Sequence, residues 1–543
     1  MYHQPGQDQS YRWLQILIAF AVFANFAPLF VTIIGGDGTL YASISKTMAL
    51  NNDYVNLYAE GRDWLDKPHF PFWVAAFFFE IFGIHGWSYK LPGILFLMMG
   101  AWYTYLFAKK LYNKETGLVA ALILLTAEHI LLSSNDVRAE PYLTGLIIAS
   151  VYHFVCLQEK YSLRDLLLGS LFASFAVMTK GIFALLPIGG AMMGHLALTG
   201  NLRQLLQLRW LAANILTFIF VAPELYTLWL QFDQHPEKVV FGQTGVSGLK
   251  FFFWDSQFGR FFNTGPIKGK GDPSFFIHTS LWAFLPWSVL MFIAVGKRFS
   301  KFRKPGLEWY SFFAAILTFL LFSLSRFQLP HYLNVVFPFF AVITADYLLG
   351  ISSAPVIGRI SKLQIILVCL LFVGVIALQV LYRPTGTGWL IIGAGIIAVT
   401  LVLRTGGLPS KQRIITISSL GILIINLWLF WILYPDLLKY QSGSEAAFIA
   451  NSQYPGVPVV QYKQSSYPLE FYIDAPVSKI DTLVATNSLK KPILLYVAES
   501  VDTLLVGPGF ILPNFRISRL NGKFINKKRR DSQLQWSKLE LIQ

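Results

Sequence analysis

Residues 62–84 read RDWLDKPHFPFWVAAFFFEIFGI. Four charged residues, Arg62, Asp63, Asp66 and Lys67, and one histidine, His69, stand directly before a run of aromatics. Whether the apolar half, 70–84, crosses a membrane decides the side on which every later segment lies. A crossing helix needs about 20 apolar residues. This run is short and lies close to the next one, 88–108, so we read it as an interfacial or re-entrant helix.

The surrounding chain reads as membrane protein. Of 543 residues, 55% are hydrophobic and 13% charged, against roughly a quarter charged in soluble domains. Mean hydropathy is +0.52, which over such a length means many spans. The 47 Phe and 15 Trp suit lipid contact and interfacial belts. A formal net charge of +15 raises the question of nucleic acid. No nucleic-acid partner is expected, because the Lys and Arg residues sit in short loops between apolar runs. Cys156 and Cys369 lie inside such runs and read as small buried hydrophobes. The first apolar run is too long for a signal peptide and lacks a small-residue cleavage site.

Apolar runs fall at 13–34, 88–108, 116–133, 141–157, 165–180, 181–199, 209–231, 277–296, 307–324, 332–350, 363–381, 387–403 and 414–434, which predicts about thirteen transmembrane helices. With a cytoplasmic N-terminus the inside loops are KKLYNK (109–114), EKYSLRD (159–165), NLRQLLQLR (201–209), GKRFSKFRKPG (296–306), GRISK (358–362) and RTGGLPSKQR (404–413). All are short and carry two or more Lys or Arg, as cytoplasmic loops do. Counting 70–84 as a span would put KKLYNK outside and spoil the alternation.

The expected organisation is therefore an all-α polytopic membrane part, 1–434, followed by an extracytoplasmic tail, 435–543. The membrane part has a first outside loop at 35–87 and a long outside loop at 232–276. Asp37, Asp66, Lys67, Glu140, Lys180, Arg260, Arg326 and His331 then share one membrane surface. Ionisable groups at span ends are costly unless solvated or paired. Singly, each fits a solvated span end. As an alternating set of carboxylates and cations they point to a site.

The tail changes period. VPVVQYK, LEFYID and PILLYVA read as strands bounded by Pro, Gly and Asp. SGSEAAFIANS reads as a short amphipathic helix with a Ser cap. Together they predict a small α/β domain. Its basic stretch NGKFINKKRRDSQ (521–533) reads either as a solvated hairpin or as a contact for lipid headgroups or an anionic acceptor.

Six short motifs, in order and on one face, resemble those of the GT-C membrane glycosyltransferases, in the branch of the protein O-mannosyltransferases and the lipid A aminoarabinose transferase. Asp37-Gly38-Thr39-Leu40-Tyr41 resembles the family's Asp-Glu followed by Tyr, with Gly38 in place of the Glu. Asp66-Lys67-Pro68-His69, then Pro71 and Trp73, resembles its Lys-Pro-Pro, with the second Pro replaced. Arg138-Ala139-Glu140 resembles Arg-x-Asp, and Thr179-Lys180-Gly181 matches Thr-Lys-Gly. FFFWDSQFGRFF supplies Arg260, and Ser325-Arg326 with Leu329-Pro330-His331-Tyr332 loosely resembles Ser-x-x-Lys-x-x-x-Tyr. The resemblance is good over 13–350; beyond that only span count and a tail agree.

The resemblance implies an integral-membrane, inverting glycosyltransferase of the inner (plasma) membrane. It would move a sugar from a polyprenyl (undecaprenyl-type) phosphate donor to an extracytoplasmic acceptor such as lipid A, a protein or a glycan. Membrane lipids are partners by necessity. The leaving lipid phosphate gains negative charge as it departs, and fixed cations stabilise that charge most in the transition state. Lys67 and Arg260 suit this role, with Asp66 orienting Lys67 and with Tyr332, His331, Arg326 and Tyr41 as further binding groups. Asp37 is the implied base; Glu140 is left as a holder of Lys67, an acceptor-positioning group or a second base. Neither a nucleotide-binding fingerprint nor a Walker motif occurs, which suits a donor already on a lipid. No cofactor is required. Metal-ligand spacing is absent apart from Asp66 and His69, so a divalent metal is allowed but not expected.

Three other classes compete. A lipid-sugar transporter or flippase would carry repeats and midplane charge, and neither is visible. A polysaccharide polymerase or ligase would use the same donor chemistry. A scaffold gives no reason for the polar set. The topology makes one direct prediction. In a background lacking Cys156 and Cys369, single cysteines in the tail react with an impermeant thiol reagent in intact cells, and single cysteines in the 296–306 loop react only after lysis.

Overall fold

The computed structural model describes residues 11–304, 306–405, 408–498, 510–520 and 534–542. Every apolar run contains helix, but not always in one piece. Six helices are long and apolar enough to cross a membrane unaided: Gly86–Leu111, Ala139–Glu159, Leu208–Asp233, Pro330–Gly350, Ala354–Tyr382 and Ser410–Tyr440. Arg12–Phe26, Ile182–Leu198, Tyr310–Leu324 and Gly388–Arg404 are shorter apolar helices. Run 116–133 breaks into Lys114–Leu125 and Glu128–Ser133, and run 277–296 into Phe275–Ala283 and Ser288–Phe299. Pro286 falls in the second break; proline cannot donate to the helical ladder. The molecule is a mostly helical, multi-pass integral membrane protein with a small mixed sheet at its C-terminal end.

The decisive run folds as the helix Phe70–Phe82. Its thirteen residues cover roughly 20 Å at about 1.5 Å per residue, less than the ~30 Å hydrocarbon core. Pro71 occupies its first turn, where the missing N–H costs nothing, and Gly83 closes it at φ +81°. The preceding residue is pinned from the middle of another helix. Glu224, buried within Leu208–Leu228, accepts the His69 backbone N–H at 2.9 Å, and its other oxygen lies 3.1 Å from His69 Nδ1. His69 Nε2 donates to the Val55 carbonyl at 2.9 Å.

The segment 35–87, expected as a loop, holds more structure than its composition announced. A fifteen-residue helix, Asp37–Asn51, opens it. A two-stranded hairpin follows, β1 (Tyr58–Ala59) with β2 (Arg62–Asp63). The helix ends are marked in the sequence: Asp37 sits in the first turn, favoured by the helix dipole, and Asn52 takes the left-handed conformation at φ 50°. The apolar stripe between them is interrupted by Ser43, Ser45 and Thr47, so the period is weak.

The tail forms one sheet of five strands in the order β4-β3-β5-β7-β6. These are β3 (Val459–Tyr462), β4 (Val477–Ile480), β5 (Ile493–Ala498), β6 (Phe510–Leu520) and β7 (Leu534–Ile542). The first three pair in parallel, and β7 is antiparallel to both neighbours. VPVVQYK and PILLYVA are strands as expected. LEFYID is not: Tyr467–Tyr472 is a helical turn and a half. Ser466 caps it by accepting the Leu469 N–H at 3.3 Å, and Pro468 fits its first turn, so local capping overrides the strand-like alternation. Ser442–Gln453 is helical, but the expected Ser cap is absent; Gln441 takes the cap position without a capping bond. The basic stretch 521–533 lies outside the described residues.

Tail and membrane part share one core. Phe471 stands 6.1 Å from Phe79 and 6.3 Å from Tyr89, ring centre to ring centre. Beside it, Lys46 Nζ donates to the carbonyls of Glu470 and Phe471 at 3.0 Å each, and to that of Ile473. Burial and the neighbouring Glu60 raise the Glu470 carboxyl to about 7, against the opposing pull of Gln461, Lys479 and Lys46. The folded state thus holds a proton on Glu470 that the unfolded chain has released above its usual range near 4.3. Stability from this group falls as pH rises from about 4.5 through about 7. Glu470→Gln should flatten that part of the profile, measured as the thermal midpoint of the detergent-purified protein between pH 5 and pH 8.

Candidate active site

Two cavities meet at the end of the bundle that carries the first loop. One, about 280 Å³, is lined by Asp37, Tyr41, Asp66, Lys67, Glu140, Lys180, Arg260, Ile267, Phe327, Leu329, His331 and Tyr332. The other, narrower at about 80 Å³, is walled mainly by apolar side chains, among them Leu143, Ile147, Phe183, Pro187, Phe322 and Val335. Asp66, Lys67, Lys180, Arg260, Phe327 and Tyr332 line both. A polar chamber and an apolar chamber therefore join across three cations.

Asp66 is the hub. Its Oδ2 accepts from Lys67 Nζ at 2.5 Å and its Oδ1 from Arg260 Nη2. Burial alone would raise the Asp66 carboxyl, but Lys67 and Arg260 hold it below the usual carboxylate range. Burial pushes the Lys67 ammonium down, Asp66 pulls it up, and Arg260 pushes it down again. Two cations share one carboxylate, so one positive charge is uncompensated where the chambers meet. Arg260 Nε is buried without a hydrogen-bond partner among the described residues, a donor left for an incoming ligand. The guanidinium also lies over the Phe327 ring at 5.4 Å.

Arg260 arrives on a local irregularity. Phe251–Gly259 is wound as a π-helix and passes directly into the short helix Arg260–Phe262; such widened turns re-aim side chains and recur at functional sites. The segment docks through Gln257, whose Nε2 donates to the Lys180 carbonyl at 3.0 Å. Gly181, at φ +89°, makes room for it: a Cβ there would lie 2.1 Å from Gln257 Nε2.

Glu140 is buried, with 3% of its side chain exposed, and is already engaged. Lys180 donates to it, and His331 Nε2 lies 3.7 Å away. It does not hold Lys67. Lys180 Nζ also stands 3.7 Å from the centre of the Tyr332 ring. Asp37 is different: 46% of its side chain is exposed to the cavity side, and one oxygen accepts from Arg138 Nη1 at 2.7 Å. Arg138 spends its other nitrogen on Asp136 at 2.8 Å. The turn bearing it is anchored by Tyr89, which donates to the Val137 carbonyl at 3.0 Å, and by buried Lys90, which donates to Asn135 Oδ1 at 2.6 Å. Tyr41 is buried edge-on against Trp64 and Phe72, one turn from Asp37.

Eight of the nine expected site residues thus line the polar chamber. Arg326 does not: it is exposed and lines neither cavity. Lys180, already in the one-surface set, and Arg138, already in a motif, were given no role by the sequence; the structure pairs them with Glu140 and Asp37. Thr179-Lys180-Gly181 was a visible signal for the first. The second pairs with a residue 101 positions away, which no local pattern reveals. Among the described residues, no group of three His, Cys, Asp or Glu side chains is gathered as for a metal ion.

Residues 66–227 match the family described as dolichyl-phosphate-mannose-protein mannosyltransferase. An uncharacterized protein of Aquifex aeolicus is 24% identical over 361 residues, 64% of this chain and 66% of its own length. The undecaprenyl phosphate-alpha-4-amino-4-deoxy-L-arabinose arabinosyl transferase of Pseudomonas paraeruginosa is 25% identical over 328 residues, 59% of this chain. The matched part spans 56% of that relative's length. The crystal structure of ArnT from Cupriavidus metallidurans bound to undecaprenyl phosphate superposes with a TM-score of 0.73 at 18% identity, covering 97% of this chain and 98% of that one. Residues 66–227 thus carry the pattern of the mannosyltransferase family, and the chain as a whole shares the fold of the ArnT structure.

Proposed function

We propose that this protein transfers a sugar from a polyprenyl-phosphate donor to an acceptor on the extracytoplasmic side of the membrane. In this reading 1–434 is the membrane-embedded catalytic part with about thirteen crossings, and 435–543 is extracytoplasmic. The observation that carries the proposal is the junction of the two chambers. An apolar cavity suits a polyprenyl chain, and the cations shared by both cavities suit the phosphate at its head. The polar chamber beyond them, ending at Asp37, suits the sugar and the attacking acceptor. The likeness to an ArnT bound to undecaprenyl phosphate supports the donor class.

In this reading a single displacement carries out the transfer. The acceptor's nucleophile attacks the anomeric carbon while the carbon–oxygen bond to the lipid phosphate breaks. The phosphate leaves with the bonding pair, and the configuration inverts. Lys67 and Arg260 stabilise the charge that grows on the leaving oxygen; Arg grips two phosphate oxygens, and Lys acts as a point charge. Asp66 keeps both pointed at one place. Asp37 takes the acceptor's proton, a contribution of about 10²–10⁴-fold for a positioned base. It is the reachable carboxylate: Glu140 is buried and committed to Lys180, so it acts by placing that cation rather than by meeting an acceptor.

The first test is donor turnover. Purified protein is given a panel of radiolabelled undecaprenyl-phosphate monosaccharides, including 4-amino-4-deoxy-L-arabinose and mannose, with membrane extract as the acceptor source. Label should leave one member of the panel; label that stays on the lipid throughout, or crosses the bilayer still attached, favours transport instead. With the active donor, Lys67→Ala and Arg260→Ala should each raise the barrier by roughly 2–4 kcal/mol, as deletion of an oxyanion donor does. Wild-type rates in both folded variants would remove the phosphate role.

Asp37→Asn keeps shape and hydrogen bonding but removes the proton acceptor. Transfer should nearly vanish while affinity for undecaprenyl phosphate stays within a few-fold. Glu140→Gln is the control. An active Asp37→Asn beside a dead Glu140→Gln would move the base to Glu140.

A further inference from the structure

The C-terminal unit places no described side chain in either chamber, yet it grips the chain that leads into Asp37. Gln441 pairs with the backbone of residues 33–35 on both sides of its amide. Its Oε1 accepts the Gly35 N–H at 2.5 Å, and its Nε2 donates to the Ile33 carbonyl at 3.0 Å. Tyr472 Oη accepts the Ile33 N–H at 2.7 Å. Both approaches need absent side chains. A Cβ on Gly35 would stand 2.7 Å from Gln441 Oε1, and one on Gly86 would stand 2.9 Å from Tyr472 Oη. Gly36 then turns the chain at φ +94° into the helix whose first residue is Asp37.

The same unit holds the helix further along one face. Ser43 Oγ donates to the Tyr467 carbonyl at 3.2 Å. Three residues on, Lys46 donates to the carbonyls at the end of the 467–472 turn, which suits a cation at a helix C-terminus. Asp37 is therefore fixed twice. Arg138 takes its carboxylate from the membrane part, and the tail holds the backbone of Ile33 and Gly35 just before it. Buried backbone groups left without partners cost about 1–3 kcal/mol each, so Ile33 and Gly35 have one well-satisfied position.

We propose that Gln441 and Tyr472 are positioning residues for Asp37, and that the C-terminal unit serves the transfer reaction by setting where that carboxylate stands. The inference rests on the reading of Asp37 as the base. A base displaced by about 1 Å loses on the order of 10²-fold in rate. Lys67 and Arg260, the groups proposed for the donor phosphate, are held by Asp66 and not by this unit, so the donor should bind as before.

The test uses the full-length protein in lipid nanodiscs, with Tyr472→Phe as the gentle variant and Gln441→Leu as the second. Backbone amide exchange over 33–40 should rise in both, with exchange over β3 unchanged. Turnover of the donor found active in the panel above should fall roughly ten- to a hundred-fold, with affinity for undecaprenyl phosphate within two-fold. Combined with Asp37→Asn, neither variant should lose anything further, because the group they position is gone. Losses that multiply in the double variants mean a general structural role and overturn the proposal. Wild-type turnover in both single variants with Asp37→Asn inactive overturns it while leaving the base in place, and unchanged exchange over 33–40 overturns it too. An active Asp37→Asn overturns the base assignment itself, and the proposal with it.

Discussion

One carboxylate organises this end of the molecule. Asp66 accepts from Lys67, its neighbour in sequence, and from Arg260, 194 residues away. Without it two cations would face each other in a partly buried cavity, a repulsion of several kcal/mol at the low effective dielectric of such a site. With it they converge, and their summed charge stays one unit ahead of their partner's. The arrangement holds the long loop against the first loop and leaves a net positive charge at the mouth of an apolar chamber.

The other buried charges obey the same constraint, and each pairing fixes a piece of backbone. Glu224 fastens the start of the Phe70–Phe82 helix through His69. Lys90 reaches the carbonyls of Pro28 and Val31 and the side chain of Asn135, tying the first helix's exit to the turn that carries Arg138. At the opposite end of the bundle Arg298 gathers Tyr112, Asp346 and the Glu308 carbonyl. Removing one member of such a set strands its partner, which costs more than the pair contributes. Sites and scaffold are therefore not separable here: the contacts that position Asp37 are also contacts that join the loops.

The site was largely legible. Short motifs on one membrane face named eight residues that line a common chamber. Arg326 failed because a loose motif match gives no side-chain direction; its neighbours Phe327 and Tyr332 point inward, and it points to solvent. Asp37–Asn51 was hidden because its polar interruptions blur the helical period, although its capping residues were in plain sight. LEFYID deceived in the opposite sense: over six residues a strand alternation and a helical turn put similar residues inside, and Ser466 with Pro468 decided between them.

The sequence by itself determined the class: apolar run length fixes a membrane protein, loop charge proposes its orientation, and the order of Asp37, Lys67, Glu140, Lys180 and Arg260 points to their chemistry. These are local or cumulative properties of the chain. Tertiary structure alone decided the partners. Glu140 takes Lys180 rather than Lys67, Asp37 takes Arg138, and Gln441, while bonding Ser444 of its own helix, also holds Ile33 and Gly35. A charge or an amide in sequence carries no address. Its partner is whichever complementary group the packed helices bring within hydrogen-bond reach, and that depends on the whole fold at once.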